Sequence, residues 1–249
     1  ADSYENNARI VTASLTTSNI TFNNCKFASR VNAATNQADD ITHLGSYPQR
    51  LSSVLNLSAA NHITIDSCIF SVPANRYIDI QGMSDASMSD GIEITNSTFE
   101  IRNMHTPVTN ANVVGNAIYA TLNKNLVVRD NKFTTVFPDN MNGISSNYYA
   151  IMLSSCKTFN VNKNEFDLSG VSAIILSDIP NGTTAKVVNN KISVRNNNVI
   201  SYSPITLYGV NLVSGTNILL AYNNVYALGT DANAIGYNLG YTGTNTSNI

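Results

Sequence analysis

The chain has 249 residues, of which 12% are charged, and a formal net charge of −2. That length suits one domain, and such a balance lacks the basic stripe that a nucleic-acid partner needs. No apolar run reaches the length of a membrane span. Asparagine is unusually common, at 38 residues, yet 43% of the chain is hydrophobic and falls at regular positions, which argues against disorder.

In chain order, one short pattern recurs seven times. The copies are Ile20 to Phe27, Ile63 to Phe70, Ile92 to Phe99, Leu126 to Phe133, Phe159 to Phe166, Ala185 to Ile192 and Ile218 to Val225. A repeated core with variable connections is the mark of a stacked, quasi-one-dimensional fold. The first and third residues of each copy are apolar, as in Ile63 and Ile65 or Leu126 and Val128, which is strand alternation with one buried face. A polar bend follows, and a large apolar residue closes the unit. Two positions before that residue stand Cys25, Cys68, Ser97, Asn131, Asn164, Asn190 and Asn223. Small polar side chains in register can form a hydrogen-bonded ladder, and Asn tolerates the left-handed backbone of a tight bend.

A further strand precedes each copy after the first. It is read at Leu55-Asn56-Leu57, Ile78-Asp79-Ile80, Ile118-Tyr119-Ala120, Ile151-Met152-Leu153, Ile174-Ile175-Leu176 and Ile205-Thr206-Leu207. Each coil is therefore expected to run strand, short turn, strand, Asn bend, third strand and variable loop. Seven coils at a strand spacing of about 4.8 Å make a rod of roughly 35 Å. The expected fold is an all-β, single-stranded parallel β-helix of about seven to eight coils, as one domain over residues 1–249. The chain starts at Ala1, and no amphipathic cap is visible at its end, so it reads as a processed piece or fragment of a larger protein.

These strands and the bend asparagines (Asn131, Asn164, Asn190 and Asn223) resemble the right-handed parallel β-helix superfamily of pectate lyases, polygalacturonases and phage tailspikes. The resemblance spans about residues 10 to 240. In the superfamily's terms the three strands of a coil are PB1, PB2 and PB3. It implies a polysaccharide partner on the PB1 face and, most like the tailspikes, a homotrimer at a virion surface or outside the cell. A monomeric secreted lyase or hydrolase, and a non-catalytic adhesive segment, are the other readings. The polygalacturonase, pectate lyase and alginate epimerase signatures are all missing. No zinc-type Cys/His spacing or Gly- and Asp-rich calcium repeat occurs, so neither a metal nor a cofactor is expected.

The longest variable segments are 28–53, 100–116 and 134–149, flanking PB1. Alternation points Asn56, Asp79, Tyr119, Met152, Ile175 and Thr206 outward from PB1, with Asp79 the only acid among them. Hydrolysis needs two carboxylates about 5 to 10 Å apart, for which Asp79 with Asp39 or Asp40 are the candidates. A lyase needs a base and a cation to neutralise a uronate, for which His43, Arg76, Tyr77 and Arg102 are candidates. The catalytic candidates are thus Asp79, Asp39, Asp40 and His43. The substrate-binding candidates are Arg76, Tyr77, Arg102 and Tyr119, with Tyr119 able to stack on a sugar ring. Glu93 and Asp66 face outward on PB2. The apolar stripe Tyr119, Met152 and Ile175 admits three readings: a partner surface, a sugar platform, or an inside-outside assignment shifted by one residue.

Cys25 and Cys68 occupy the same coil position, so in adjacent coils their Cα atoms would lie about 5 Å apart, within disulfide range. The simpler reading is that both are small buried ladder residues. Five Asn-x-Ser/Thr sequons begin at Asn19, Asn56, Asn96, Asn181 and Asn245, a number expected by chance from this composition.

Overall fold

The computed structural model describes residues 9–14, 17–28, 31–32, 37–38, 51–72, 74–106, 111–136, 148–180, 184–196, 206–215, 217–229 and 234–240. Apart from an antiparallel pair, Val31–Asn32 with Gln37–Ala38, they are built on three parallel sheets, and successive strands of one coil fall in different sheets. This is a parallel β-helix, wound with the right hand that parallel crossovers take.

The first sheet holds Arg9–Ala13, Leu51–Ser58, Ala74–Gln81, Asn116–Thr121, Tyr149–Ser154, Ser172–Ser177, Leu207–Leu212 and Ala234–Leu239, in that spatial order. The second holds Ser18–Asn23, Asn61–Asp66, Ser89–Thr95, Asn123–Arg129, Lys157–Asn162, Ala185–Val188 and Ile218–Ala221. The third holds Lys26–Ala28, Ile69–Ser71, Thr98–Thr106, Lys132–Val136, Glu165–Ser169, Lys191–Asn196 and Asn224–Gly229. The repeated pattern is thus the second strand, the bend and the third strand of every coil.

The closing apolar residue of each copy builds the core. Phe27, Phe70, Phe99, Phe133 and Phe166 stack in series with ring centroids 4.7 to 4.9 Å apart. The spacing equals the strand separation, so parallel register alone sets the stack. Ile192 and Val225 continue the column in the third sheet.

The bend between second and third strands has two working positions. Asn131, Asn164 and Asn190 are buried, and their side chains hydrogen-bond in series. Asn131 Nδ2 donates to Asn164 Oδ1 at 3.1 Å, Asn164 Nδ2 to Asn190 Oδ1 at 3.0 Å, and Asn190 Nδ2 to Asn223 Oδ1 at 2.8 Å. Each amide also donates backwards, to the carbonyls of Ile94, Val128 and Val161. The left-handed residue is one place earlier than the ladder residue. It is Asn24, Ser67, Asn96, Asp130, Lys163, Asn189 or Tyr222, with φ between 50° and 57°. The division follows from geometry: the left-handed residue turns the chain, and the next side chain is thereby aimed inside.

In the first sheet most strands carry two consecutive buried residues before alternation begins, as in Val54-Leu55, Tyr77-Ile78, Ala117-Ile118, Ala150-Ile151 and Ala173-Ile174. The double step puts residues three apart, such as Arg76 and Asp79, on the same outer face. The strand expected at Ile205-Thr206-Leu207 is displaced. Val210 pairs with Ile174 and Asn211 with Ile175, so Asn211, not Thr206, continues the outward row. The segment 100–116 is not simply a loop: Thr98–Thr106 is one strand, and Ala111–Val114 pairs antiparallel with it.

Candidate functional site

The outer face of the first sheet collects a polar cluster around Asp79. Register places Asn56, Asp79, Tyr119, Met152 and Ile175 in one row across adjacent coils. Both Asp79 oxygens are occupied. Arg76 Nη1 donates to them at 3.0 and 3.1 Å, Gln81 Nε2 at 2.8 and 3.0 Å, and Asn56 Nδ2 to Oδ2 at 3.3 Å. Asp79 is only 4% exposed. The Arg76 guanidinium carbon lies 3.5 Å from the centroid of the Tyr119 ring, a cation–π contact that covers one ring face. Arg76, Gln81 and Tyr119 stay partly exposed.

The chemistry follows from this saturation. A nucleophile or general acid must reach the substrate, whereas the Asp79 carboxylate lies beneath its own donors. It orients Arg76, and Arg76 in turn orients Tyr119. The surface so made offers a guanidinium edge, an amide and an aromatic hydroxyl on a rigid sheet, which equips it for recognition.

Two of the sequence candidates, Tyr77 and Arg102, lie away from this face. Tyr77 is inside the coil, 2% exposed, beside the stacked Phe70 and Phe99 rings. Its hydroxyl donates to the Glu100 carbonyl at 2.5 Å and accepts from the Arg102 N–H at 3.1 Å. Burial pushes its phenol well above the usual value. Adjacency to Asp79 misled here, because the double inward step turns Tyr77 to the core. Arg102 does not overhang PB1; it lies on the third sheet, 8% exposed. Its Nε donates to Ser71 Oγ at 3.1 Å, and its Nη2 pairs with Glu100 Oε2 at 2.8 Å. Burial opposes the charge on Glu100, but the Ser71 hydroxyl and Arg102 outweigh it and hold that carboxyl below its ordinary 4.5. Asp39, Asp40 and His43 lie outside the described residues.

Gln81 was not singled out from the sequence. Its signal was its place two residues after Asp79, on the same face of the strand. On the second sheet Glu93 is exposed, and Asp66 accepts from Thr95 Oγ1, Asn96 Nδ2 and Ser67 Oγ. The Thr95 and Asn96 bonds hold the Asp66 carboxyl below its ordinary 3.8. Leu219 is exposed on that sheet, and Val127 and Val188 are half-buried. Among the described residues no group of three or more His, Cys, Asp or Glu side chains is placed to hold a metal ion, and no helix is long and apolar enough to cross a membrane. Asn56 of the second sequon is buried against Asp79, a position closed to a glycan. Compared with known protein families, characterised proteins and solved structures, the chain matches none.

Proposed function

We propose that this chain is the β-helix part of a tailspike-like protein that engages a surface polysaccharide on the outer face of its first sheet. It acts outside the cell or at a virion surface. The observation that carries the reading is the Asn56–Arg76–Asp79–Gln81 network over Tyr119, which holds polar donors and an aromatic ring rigid on a part-exposed face. Sugars are recognised by such combinations of planar polar groups and aromatic edges. The neighbouring Met152 and Ile175 are half-buried apolar side chains facing outward. They supply the contact between subunits of a homotrimer and set the glycan site beside that seam.

Binding without cleavage is the favoured mode, because Asp79 is covered and bonded through both oxygens. A panel of surface polysaccharides, tested for binding and for release of reducing ends or unsaturated products, separates the modes. The expected result is binding to one glycan without new chain ends, and a loss of at least tenfold in affinity for Tyr119→Ala. Release of chain ends that Asp79→Asn abolishes would instead make the chain a hydrolase. Release that survives Asp79→Asn would move the chemistry away from this cluster.

A further inference from the structure

Cys25 and Cys68 stand at the ladder position of the first two coils, and the structure gives that position a special property. Lys26 pairs with Ile69 and Phe27 with Phe70 in parallel register, so the residues just before them are neighbours. The Ile69 N–H donates to the Cys25 carbonyl at 2.9 Å. In later coils the side chains at this position touch one another, as the amide contacts of 3.1, 3.0 and 2.8 Å show. The thiols occupy that same position. Cys68 Sγ lies 3.3 Å from the Asp66 carbonyl of its own coil and 3.5 Å from the Phe22 carbonyl of the first coil, and Cys25 Sγ lies 3.6 Å from the carbonyl after Phe22, that of Asn23. Parallel strand spacing of about 4.8 Å falls inside the Cα range that a disulfide spans. All three cysteines are free thiols. Burial above all, with a smaller part from the neighbouring Cys25 thiol, raises the Cys68 thiol above its ordinary value. Cys156 differs in both place and partners. It follows the first-sheet strand Tyr149–Ser154 and is fully buried against the Ala120 and Ser154 carbonyls.

We propose that Cys25 and Cys68 form a disulfide when the folded protein meets a low-molecular-weight disulfide, locking the first coil to the second. The Cys25 thiolate attacks one sulfur of the oxidant and expels one thiolate, leaving a mixed disulfide. The Cys68 thiolate then attacks the Cys25 sulfur and expels the second thiolate. The two cysteines lose two protons and two electrons in all, and the oxidant is reduced to two thiols. Half-buried Cys25 takes the first step, because buried Cys68 is the less accessible of the two. The lock acts on a loosely packed coil: Val11, Ile20, Phe22 and Phe27 of the first coil are only partly buried, and Ile10 is exposed.

The test uses the full folded chain, oxidised glutathione and peptide mass spectrometry. Free thiols should fall from three to one, with a Cys25–Cys68 cross-linked peptide that dithiothreitol reverses and with Cys156 still a thiol. Cys25→Ser should leave Cys68 and Cys156 both reduced. Oxidation should also slow proteolysis within residues 9–28 several-fold in the wild type and not in Cys25→Ser. Three persisting thiols, a glutathione adduct on Cys25 without the cross-link, a cross-link to Cys156, or unchanged proteolysis after cross-linking would each overturn the proposal.

Discussion

Asn164 concentrates the logic of the bend in one side chain. Its Oδ1 accepts from both the N–H and Nδ2 of Asn131, and its Nδ2 donates to the Val128 carbonyl and to Asn190 Oδ1. Asn164→Ala takes these partners from the buried Asn131 N–H and Val128 carbonyl, at about 1 to 3 kcal/mol for a group left unpaired. A clear fall in melting temperature is expected; a melt like wild type would remove the amide chain from the account of stability. The ladder residues were legible because polar residues recur two places before a large apolar one. The left-handed residue was not, because Lys163 and Tyr222 hold it as well as Asn and Asp do. Tyr77 was misread for a related reason: alternation cannot show where a strand takes two inward steps. Glu100 gives a pH signature. Its carboxyl is depressed in the folded state, so it contributes stability above 4.5 that is lost as the pH falls through its lower folded value. Melts of wild type and Glu100→Gln should therefore differ at neutral pH and converge as the pH falls below 4.5. A constant difference would mean that the ionised form carries none of the effect.

At the scale of elements, the three sheets and their order were readable because each coil repeats the same apolar spacing. The step from Leu57 to Ile63 or from Leu153 to Phe159 joins the inner residues of first and second strands. Leu212 to Ile218 is the same step, and it would have placed the Leu207–Leu212 strand correctly. The local alternation of Ile205-Thr206-Leu207 competed with it, and Gly209 blurred the apolar pair that marks other coils. The hairpin of Thr98–Thr106 with Ala111–Val114 had no repeat to reveal it. The phenylalanine column ties coil to coil through the core, since Phe99 stacks on Phe70 and Phe133 and lies beside Tyr77. Phe99→Ala should cost about 3 to 5 kcal/mol through lost burial and the cavity left behind. Equilibrium denaturation measures this directly, and a loss under about 1 kcal/mol would mean that the column relaxes around the gap.

For the whole molecule, the proposed function places a glycan on one outer face of the β-helix. The cluster was only partly legible from sequence. Asp79 stood out as the sole acid of the outward row and Arg76 as its neighbour, but which donors covered the carboxylate depended on register between coils. If the Met152–Ile175 stripe is the seam of a trimer, Met152→Glu places an uncompensated charge there. Light scattering should then show a trimer falling to monomer, and a monomeric wild type would rule the seam out. The most direct measurement is a crystal structure with the oligosaccharide selected by the binding panel. Density in contact with Arg76, Gln81 and Tyr119 is the predicted result. An oligosaccharide seated instead on the second sheet beside Glu93 and Asp66, with the first-sheet face empty, would contradict it.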